Sequence, residues 1–370
     1  MIKSTIRTEK FRVYSLDFAR GLVVALSAFL SNIPYGEQPY TLARHAQWNG
    51  ITIIDFILPA FVTLFGLGIA FAYRNGVNWY KLIRRTILLI IYGLVFNSVV
   101  DWGINLDTLR FTGVLQLYSI LGIVVVLFSR IFNSWKSSLL MSFLILGSYS
   151  FLLIKTSSSF PQPSFNLSGQ FDPLIFGLNH IYQQGNLGHD PEGIFTIYSA
   201  IASVLIGYAA GKIILSQKKT ILLLTVLGIV LLSSTPLLQL FCPIIKRIWS
   251  PAFVTLTSGT TILLVALGHF FFDQSHEIHN KSLALLKSKV LWFFEAFGRN
   301  SFLVYFGKFL LVSFMTNITI PRYGLSTKEL LLNWVTSWSS SPQLIYATII
   351  FLFWTLLTFL LHWKKIYLKV

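Results

Sequence analysis

Ten long apolar runs constrain this chain more than any other feature of its sequence. A membrane-spanning helix needs about 20 mostly apolar residues, and such runs lie at residues 16–33, 51–73, 82–100, 111–128, 138–155, 195–216, 220–240, 252–273, 290–316 and 343–362. Of the 370 residues 54% are hydrophobic and 11% charged, against roughly 25% charged in soluble domains. We therefore predict an all-α fold, a polytopic transmembrane helical bundle of about 10 (10–11) helices that forms one domain over residues 1–370.

The Lys and Arg residues predict how this bundle is oriented. The two termini and every second loop hold 19 of the 29, and four lie in or at the edges of spans. The alternate loops hold six, namely Arg44, Arg110, Lys246, Arg247, Arg322 and Lys328. Loops rich in Lys and Arg stay in the cytoplasm, so both termini are predicted to be cytoplasmic. A short or re-entrant helix in 157–194 or 317–340 would not change this bias.

These features favour an integral, multi-pass protein of the cytoplasmic (inner) membrane. The net charge of +16 then reflects cytoplasmic loops and anionic lipid headgroups, and no nucleic-acid partner is expected. The first run contains Asp17 and Arg20 and precedes no small-residue cleavage site, so it is predicted to be an uncleaved helix. The single cysteine, Cys242, excludes an intrachain disulfide framework and a Cys-rich zinc site. No metal is expected.

The string HAQWNG at residues 45–50, followed by Asp55, is a candidate catalytic centre. The ordinary pKa of histidine lies near neutrality, so His45 can take a proton from an amine or hydroxyl nucleophile. Asp55 can orient this base if it faces inward. Alternatively, His45 is a solvated loop residue and Asp55 caps the second helix.

The string DPEG at residues 190–193 lies just before the sixth span. Asp190 as N-cap and Pro191 at the first helical position would start that helix without any further role. Alternatively, Asp190 and Glu192 bind hydroxyl or amino groups of a substrate. Both interpretations remain open at this level.

Two charged pairs are predicted near the cytoplasmic boundary. Asp17 and Arg20 are three residues apart on the first helix, where pairing offsets part of the cost of each charge. Arg84 and Arg85 can bind the phosphates of a nucleotide, or they can act only as topology signals.

The segment from Gly298 through Asn300 to Lys308 is predicted to lie on one helix together with Tyr305. Lys308 lies deep in a span, so it should line a wet cavity or pair with an acid. Gln116 and Asn32 are further polar residues in spans, where each can also serve as a helix–helix hydrogen bond.

Together these motifs resemble the catalytic domain of the heparan-α-glucosaminide N-acetyltransferase family, a group of transmembrane acyltransferases. In chain order, the resemblance includes Ser15-Leu16-Asp17 with Arg20-Gly21, the HAQWNG string with Asp55, Arg84-Arg85, Gly113-Val114-Leu115-Gln116, the DPEG string with Gly211-Lys212, and Asn300-Ser301-Phe302-Leu303-Val304-Tyr305. The two strings are the specific elements. The chain departs from the family at Gly307-Lys308, where the enzymes often carry Gly-His, and it shows no counterpart of the lumenal N-terminal domain of the animal enzymes.

The resemblance implies transfer of an acetyl or acyl group from cytoplasmic acetyl-CoA, a co-substrate, to an extracytoplasmic amino sugar or sugar hydroxyl. The family's active-site histidine falls on His45, and an asparagine shortly before it corresponds to Asn32. The implied sites are His45, Asn32 and Asp55 for catalysis, Trp48, Asn49, Gln116, Asp190, Glu192, Asn300, Tyr305 and Lys308 for the acceptor, and Asp17, Arg20, Arg84 and Arg85 for the donor.

Other functions are compatible with the same residues. One alternative is a proton-coupled transporter or flippase of a sugar-linked or anionic solute, with Asp17, Lys308 and the histidines as proton carriers. A purely structural membrane partner would leave the clustered polar residues unexplained. The expected partners are the lipid bilayer, acyl-CoA and a glycan acceptor, and the choice between a monomer and a homodimer is open.

Overall fold

A computed structural model describes residues 12–35, 40–156, 161–163, 165–186, 188–274 and 280–368. Helices dominate these residues: α1 (Tyr14–Leu30), α2 (Ile57–Ala72), α3 (Trp79–Val100), α4 (Val114–Ile131), α5 (Trp135–Thr156), α6 (Leu167–Phe176), α7 (Ile194–Ser216), α8 (Thr220–Gln239), α9 (Pro251–Gly268), α10 (Lys281–Arg299), α11 (Ser301–Asn317), α12 (Thr327–Thr336) and α13 (Pro342–Trp363). Two short antiparallel strands, β1 (Thr319–Ile320) and β2 (Leu325–Ser326), join α11 to α12. Within the described residues, eight helical segments are long and apolar enough to cross a membrane. The prediction of an all-α membrane bundle is confirmed.

The predicted run 290–316 is not one helix, so the prediction was wrong at this point. The chain breaks between α10 and α11 at Asn300, whose φ and ψ are −101° and 19°. The side-chain Nδ2 of Asn300 donates to the carbonyl oxygen of Ala296 at 2.9 Å. Such a local bond competes with the regular helical pattern. Asn300 therefore lies at a junction, whereas Tyr305 and Lys308 share α11.

Short helices occupy the two segments that the sequence left open. Helix α6 lies within 157–194 and α12 within 317–340. Ser326 and Glu329 start α12 with a capping box, in which Ser326 Oγ accepts the main-chain N–H of Glu329 at 3.2 Å. These additions do not alter the alternation of the long helices.

Helix α7 forms the centre of the bundle and is buried along most of its length. It packs closely against α2 at Gly207, where a Cβ atom would lie 1.8 Å from the carbonyl oxygen of Thr63. Small residues allow helix backbones to approach in this way inside a membrane. The α2–α7 pair therefore forms a rigid scaffold from which the His45 and DPEG loops extend.

The loops collect at two opposite ends of the bundle. At one, the terminal end, Arg12 forms an ion pair with Glu295, and His362 Nε2 of α13 lies 3.8 Å from the same carboxylate. At the other, the cavity end, the N–H of Gly50 donates to the carbonyl oxygen of Ile244 at 2.9 Å. This grouping agrees with the alternation predicted from the basic residues. The location of the terminal end in the cytoplasm remains a prediction, and residues 1–11 lie outside the described part.

Candidate active site

A cavity of about 800 Å³ lies at the cavity end of the bundle. The loops contribute His45, Arg110, Glu192 and Lys246 to its lining, and the helices contribute Asn97, Gln116, Tyr305 and Lys308. The structure thus brings together His45, Gln116, Glu192, Tyr305 and Lys308 from the residues predicted by sequence. Arg110 and Lys246 are additions, because their positions in the sequence indicate only loop cations.

His45 sits on a buried carboxylate. Its Nδ1 lies 2.6 Å from Oδ1 of Asp55, and the Asp55 side chain is fully buried while that of His45 is 49% exposed. A carboxylate that accepts the Nδ1 hydrogen fixes the ring and leaves Nε2 with a lone pair. In this tautomer His45 can accept a proton at the cavity wall.

The chain around Asp55 explains why the carboxylate is held so firmly. Asp55 lies in a short 3₁₀ turn, Ile53–Phe56, which leads into α2. Its Oδ2 accepts the main-chain N–H groups of Thr52 at 3.0 Å and Ala46 at 3.1 Å. Asp55 therefore caps the turn through Oδ2 and contacts His45 through Oδ1, so the two interpretations of this residue do not exclude each other.

Lys246 completes this cluster from a distant part of the chain. Its Nζ lies 3.1 Å from Asp55 Oδ1 and 2.7 Å from His45 Nδ1. The hydrogen bond between Gly50 and Ile244 holds the two loops in register. A signal existed in the sequence, because Lys246 is one of the few basic residues on the side that the positive-inside rule depletes.

Arg110 organises the DPEG segment. Its Nη2 lies 2.8 Å from Asp190 Oδ1 and 2.5 Å from Glu192 Oε2. Asp190 is fully buried, and its Oδ2 also accepts hydrogens from the Thr112 hydroxyl at 2.5 Å and the Tyr182 N–H at 2.8 Å. Asp190 thus connects the loops at the entrance of the cavity, which we call the mouth, while Glu192 lines the cavity itself.

Asp190 does not cap the sixth span, so that interpretation was wrong. Helix α7 begins at Ile194, and the Ile194 N–H donates to Oδ1 of Asp172 in α6 at 3.0 Å. Gly193 makes room for this contact, since a Cβ there would lie 1.9 Å from Asp172 Oδ2. The close approach of Asp172, a residue not predicted from the sequence, therefore explains why position 193 is a glycine.

Burial and neighbouring charges shift the pKa values of the loop groups at this end. Burial raises the pKa of Asp172 to about 7 and also raises the pKa of Glu192 despite the nearby Arg110. Burial lowers the pKa of Lys246, although Asp55 opposes the shift. The two carboxylates of Asp190 and Glu192 outweigh burial at Arg110 and raise its pKa.

Lys308 reaches the cavity from α11, as the sequence predicted for a lysine at this depth. It donates to the hydroxyl of Ser27 and, at 2.8 Å, to that of Ser31. Its Nζ also lies 4.7 Å from the centre of the Phe309 ring. No carboxylate lies within ion-pair distance of Lys308 among the described residues. Hydroxyl groups and an aromatic face therefore hold its charge.

Gln116 carries a buried amide that no other described group satisfies. It is 7% exposed, and neither Oε1 nor Nε2 has a hydrogen-bond partner in the described part of the chain. Gly93 of α3 lies against it, since a Cβ there would meet Oε1 at 2.3 Å. A buried amide normally finds partners, so Gln116 offers one donor and one acceptor to a molecule in the cavity.

Four further predicted residues do not line the cavity. Asn32 is buried and its Nδ2 donates to Ala28 O at 2.7 Å, whereas its neighbour Ser31 lines the cavity. Trp48 donates through Nε1 to Pro161 O at 2.8 Å, Asn49 is exposed, and Asn300 is buried at the α10–α11 junction. Trp48 supports the mouth, and Asn32 supports the end of α1.

The predicted Asp17–Arg20 pair does not form. Asp17 instead pairs with Arg12 at 2.8 Å, because Arg12 precedes α1 at the terminal end and reaches back to it. Arg20 points towards α2, where its Nη2 lies 3.8 Å from the Cβ position of Gly68. The side chain of Arg20 is thereby separated from the acid that was expected to neutralise it.

Arg85 turns towards the same face of α2, whereas Arg84 is exposed. The Arg85 guanidinium lies 5.3 Å from the ring centre of Phe65, and its Nε is buried without a hydrogen-bond partner among the described residues. Phe65 and Gly68 are three residues apart on α2 and share a face. Arg20 and Arg85 therefore converge inside the bundle, and Arg84 does not join them.

The fold and the site define a class, a multi-pass α-helical membrane protein with a histidine–carboxylate–lysine cluster at one end of its bundle. Within the described residues, no group of three or more His, Cys, Asp or Glu side chains could hold a metal ion. The chain belongs to the heparan-alpha-glucosaminide N-acetyltransferase family, because the family model described as its catalytic part matches residues 12–228, more than half of the 370 residues.

Two curated relatives extend the similarity over the whole chain. The heparan-alpha-glucosaminide N-acetyltransferase of Homo sapiens is 27% identical over 97% of this chain, and that of Mus musculus is 25% identical over 99%. The chain spans 60% and 62% of the lengths of these relatives. His45, Asp55, Arg85, Arg110 and Asp190 fall inside the part that the family model matches, whereas Lys246 and Lys308 lie beyond it.

Proposed function

We propose that this protein is an acyltransferase that moves an acetyl group from cytoplasmic acetyl-CoA to an extracytoplasmic amino sugar or sugar hydroxyl of an envelope glycan. The observation that carries the proposal is the 2.6 Å contact between His45 Nδ1 and the buried Asp55 at the wall of a polar cavity. The names of the relatives agree with this chemistry, since they are N-acetyltransferases.

The reaction needs a base and a polarised thioester. In this scheme His45 Nε2 takes a proton from the acceptor's amine or hydroxyl, whose nitrogen or oxygen attacks the thioester carbonyl. The carbon–sulfur bond then breaks, and the departing thiolate takes up the proton. Alternatively, His45 carries the acyl group transiently before the acceptor attacks it.

Donor binding is assigned to the converging arginines. Acetyl-CoA carries phosphates, which guanidinium groups bind through charge-assisted hydrogen bonds. Arg20 and Arg85 form no ion pair with an acid in the described part of the chain. Asp17, on the same helix as Arg20, is paired with Arg12 and would contribute only from there. Arg84 can contribute only from the exposed side of α3.

The cavity supplies groups for the acceptor and for the transferred acyl group. Glu192 can accept hydrogens from sugar hydroxyl or amino groups, and Gln116 can both donate and accept. Lys308 can stabilise negative charge on the thioester oxygen. Asn32, predicted for that role by resemblance, would have to release Ala28 O first. Tyr305 provides apolar surface, and Trp48, Asp190, Asn49 and Asn300 would act through their neighbours.

Reconstituted vesicles of known orientation test this function. Labelled acetyl-CoA is supplied on one side and glucosamine on the other, and acetylated product is quantified on each side. We expect product only when the donor is on the side of the terminal end. Absence of transfer, together with movement of an anionic or sugar solute, would instead support the transporter.

Cysteine labelling fixes the orientation independently. In a variant whose Cys242 is replaced by serine, cysteines at the exposed positions Gln47 and Asn75 lie at opposite ends of the bundle. An impermeant maleimide should label position 47 on intact cells and position 75 only after permeabilisation. Reversed labelling would contradict the two-sided scheme.

A further inference from the structure

The three groups of the His45 cluster form a closed triangle. His45 Nδ1 lies 2.6 Å from Asp55 Oδ1 and 2.7 Å from Lys246 Nζ, and Lys246 Nζ lies 3.1 Å from Asp55 Oδ1. Nδ1 cannot donate to the carboxylate and accept from the ammonium at once. Since the carboxylate attracts both donors, Oδ1 receives a hydrogen from each. Nε2 then carries no hydrogen, and Lys246 Nζ lies 3.4 Å from it, farther than from Nδ1.

The charges in this triangle determine how readily the ring takes a second proton. Asp55 alone would favour the charged imidazolium, because an opposite charge stabilises the ion. The ammonium of Lys246 neutralises Asp55 and lies just as close to the ring, so it opposes that charge. With Lys246 present, the three side chains have no net charge as long as the imidazole is neutral. A further proton on the imidazole would give the cluster a net charge of about +1.

We propose that Lys246 is a positioning residue that keeps the His45 imidazole unprotonated, so that Nε2 is available as a base at neutral and mildly acidic pH. Its catalytic meaning rests on the proposed function, but the electrostatic effect does not. No part of the sequence resemblance and none of the predicted site residues includes Lys246.

The remaining charged groups near Lys246 do not replace its effect. Glu192 is the other acid that interacts with Lys246 electrostatically, and Arg110 holds it at 2.5 Å. Arg247 follows Lys246 in the chain and also lines the cavity, but no ion pair joins it to Asp55 in the described residues. Arg247 is therefore a matched control, a neighbouring cation without the contact.

Reaction with diethyl pyrocarbonate tests the inference without any acyl donor. The reagent modifies only unprotonated imidazole, and mass spectrometry of the peptide that follows Arg44 quantifies modification of His45 in the full-length protein. The rate is measured from about pH 5 to about pH 9 for the wild type, Lys246→Met, Lys246→Arg and Arg247→Met. The plateau rate at high pH reports access, so only the pH of half-maximal rate is compared.

We expect the half-maximal rate of Lys246→Met to require a pH about one unit higher, the size typical of a lost neighbouring charge. Lys246→Arg should match the wild type because arginine stays charged, and Arg247→Met should match it as well. If Lys246→Met does not fold, Lys246→Gln takes its place. An unchanged pH midpoint in a folded variant overturns the inference.

Enzymatic activity gives the second measurement. The acidic limb of kcat/KM for the acceptor should move to higher pH in Lys246→Met by the same amount as the chemical midpoint. If the wild type transfers no acetyl group, the proposed function fails, while the chemical modification still decides the role of Lys246. A lower kcat with an unmoved acidic limb would assign Lys246 a merely structural role.

Discussion

The two ends of the bundle differ in how their positively charged side chains are paired with acids. At the cavity end, the loop cations Arg110 and Lys246 each have an acid from another part of the chain, Asp190 with Glu192 for the first and Asp55 for the second. Lys308 of α11 is held there by hydroxyl groups instead. At the terminal end, Arg12 and Arg299 share Glu295, but Arg20 and Arg85 lie further inside without an acidic partner among the described residues.

This difference indicates what each end can bind. Cations that are neutralised by fixed carboxylates hold loops in place and tune neighbouring groups. Cations without fixed partners leave a positive potential that favours an anionic ligand. On the proposed function, the cavity end suits proton transfer with a neutral or amine-bearing molecule, and the terminal end suits a phosphate-bearing one.

Removal of His45 should produce the largest effect and should be confined to the cavity end. We expect His45→Ala to lower kcat by about 10²- to 10⁴-fold, the usual contribution of a general base. Binding of acetyl-CoA, measured by calorimetry, should stay within about twofold because the donor contacts lie elsewhere. Near-normal turnover in a folded variant would make His45 an ordinary loop histidine.

Removal of Arg110 should destabilise the protein instead of changing its chemistry directly. Arg110→Met leaves the buried Asp190 without its cation, a defect that costs about 3–5 kcal/mol in the free energy of unfolding. Arg322→Met removes an exposed loop cation predicted on the same side and should change stability by less than about 0.5 kcal/mol. Denaturant unfolding in detergent distinguishes the two, and equal stabilities would refute the neutralisation argument.

Removal of the inner arginines should affect the donor alone. Arg20→Gln and Arg85→Gln should each raise the KM for acetyl-CoA by about tenfold, as expected for a lost charge-assisted hydrogen bond, with little change for the acceptor. Arg84→Gln is the control, since Arg84 is exposed. Insertion must first be verified by labelling. If Arg84→Gln has the same effect as Arg85→Gln, the phosphates bind outside the bundle.

The smallest effect concerns Asp172, a buried acid near the cavity end that forms no ion pair among the described residues. The pKa of Asp172 rises from 3.8 to about 7 on burial, so its contribution to stability is complete below about pH 4 and is lost as pH rises through 7. The wild-type melting temperature should therefore fall between pH 5 and pH 8 by about 2–4 °C more than that of Asp172→Asn. The exposed Asp107 provides the control Asp107→Asn, which should keep the wild-type slope.

The sequence predicted features that depend on local pattern and missed those that depend on packing. Apolar runs predicted the spans because lipid requires them. The HAQWNG string with Asp55 predicted two of the three cluster members, because His45 and Asp55 are ten residues apart. Arg110 and Asp190 are 80 residues apart, and His45 and Lys246 are 201 apart. Residues so far apart in the chain leave no periodic pattern in the sequence from which their contact could be predicted. The wrong prediction for Asp17 has a similar cause. Helix spacing indicated Arg20 as its partner, whereas Arg12, in the segment before α1, forms the ion pair.

The contact between the His45 loop and the Lys246 loop also has a consequence for biosynthesis. Ribosomes add about 5–20 residues per second, so the 201 residues between His45 and Lys246 take about 10–40 s to make. During this interval the carboxylate of Asp55 has left the translocon without its ammonium partner. The nascent chain therefore carries an incomplete cluster until the loop after α8 has been made, and a chain released before that point lacks the cation that lies beside His45.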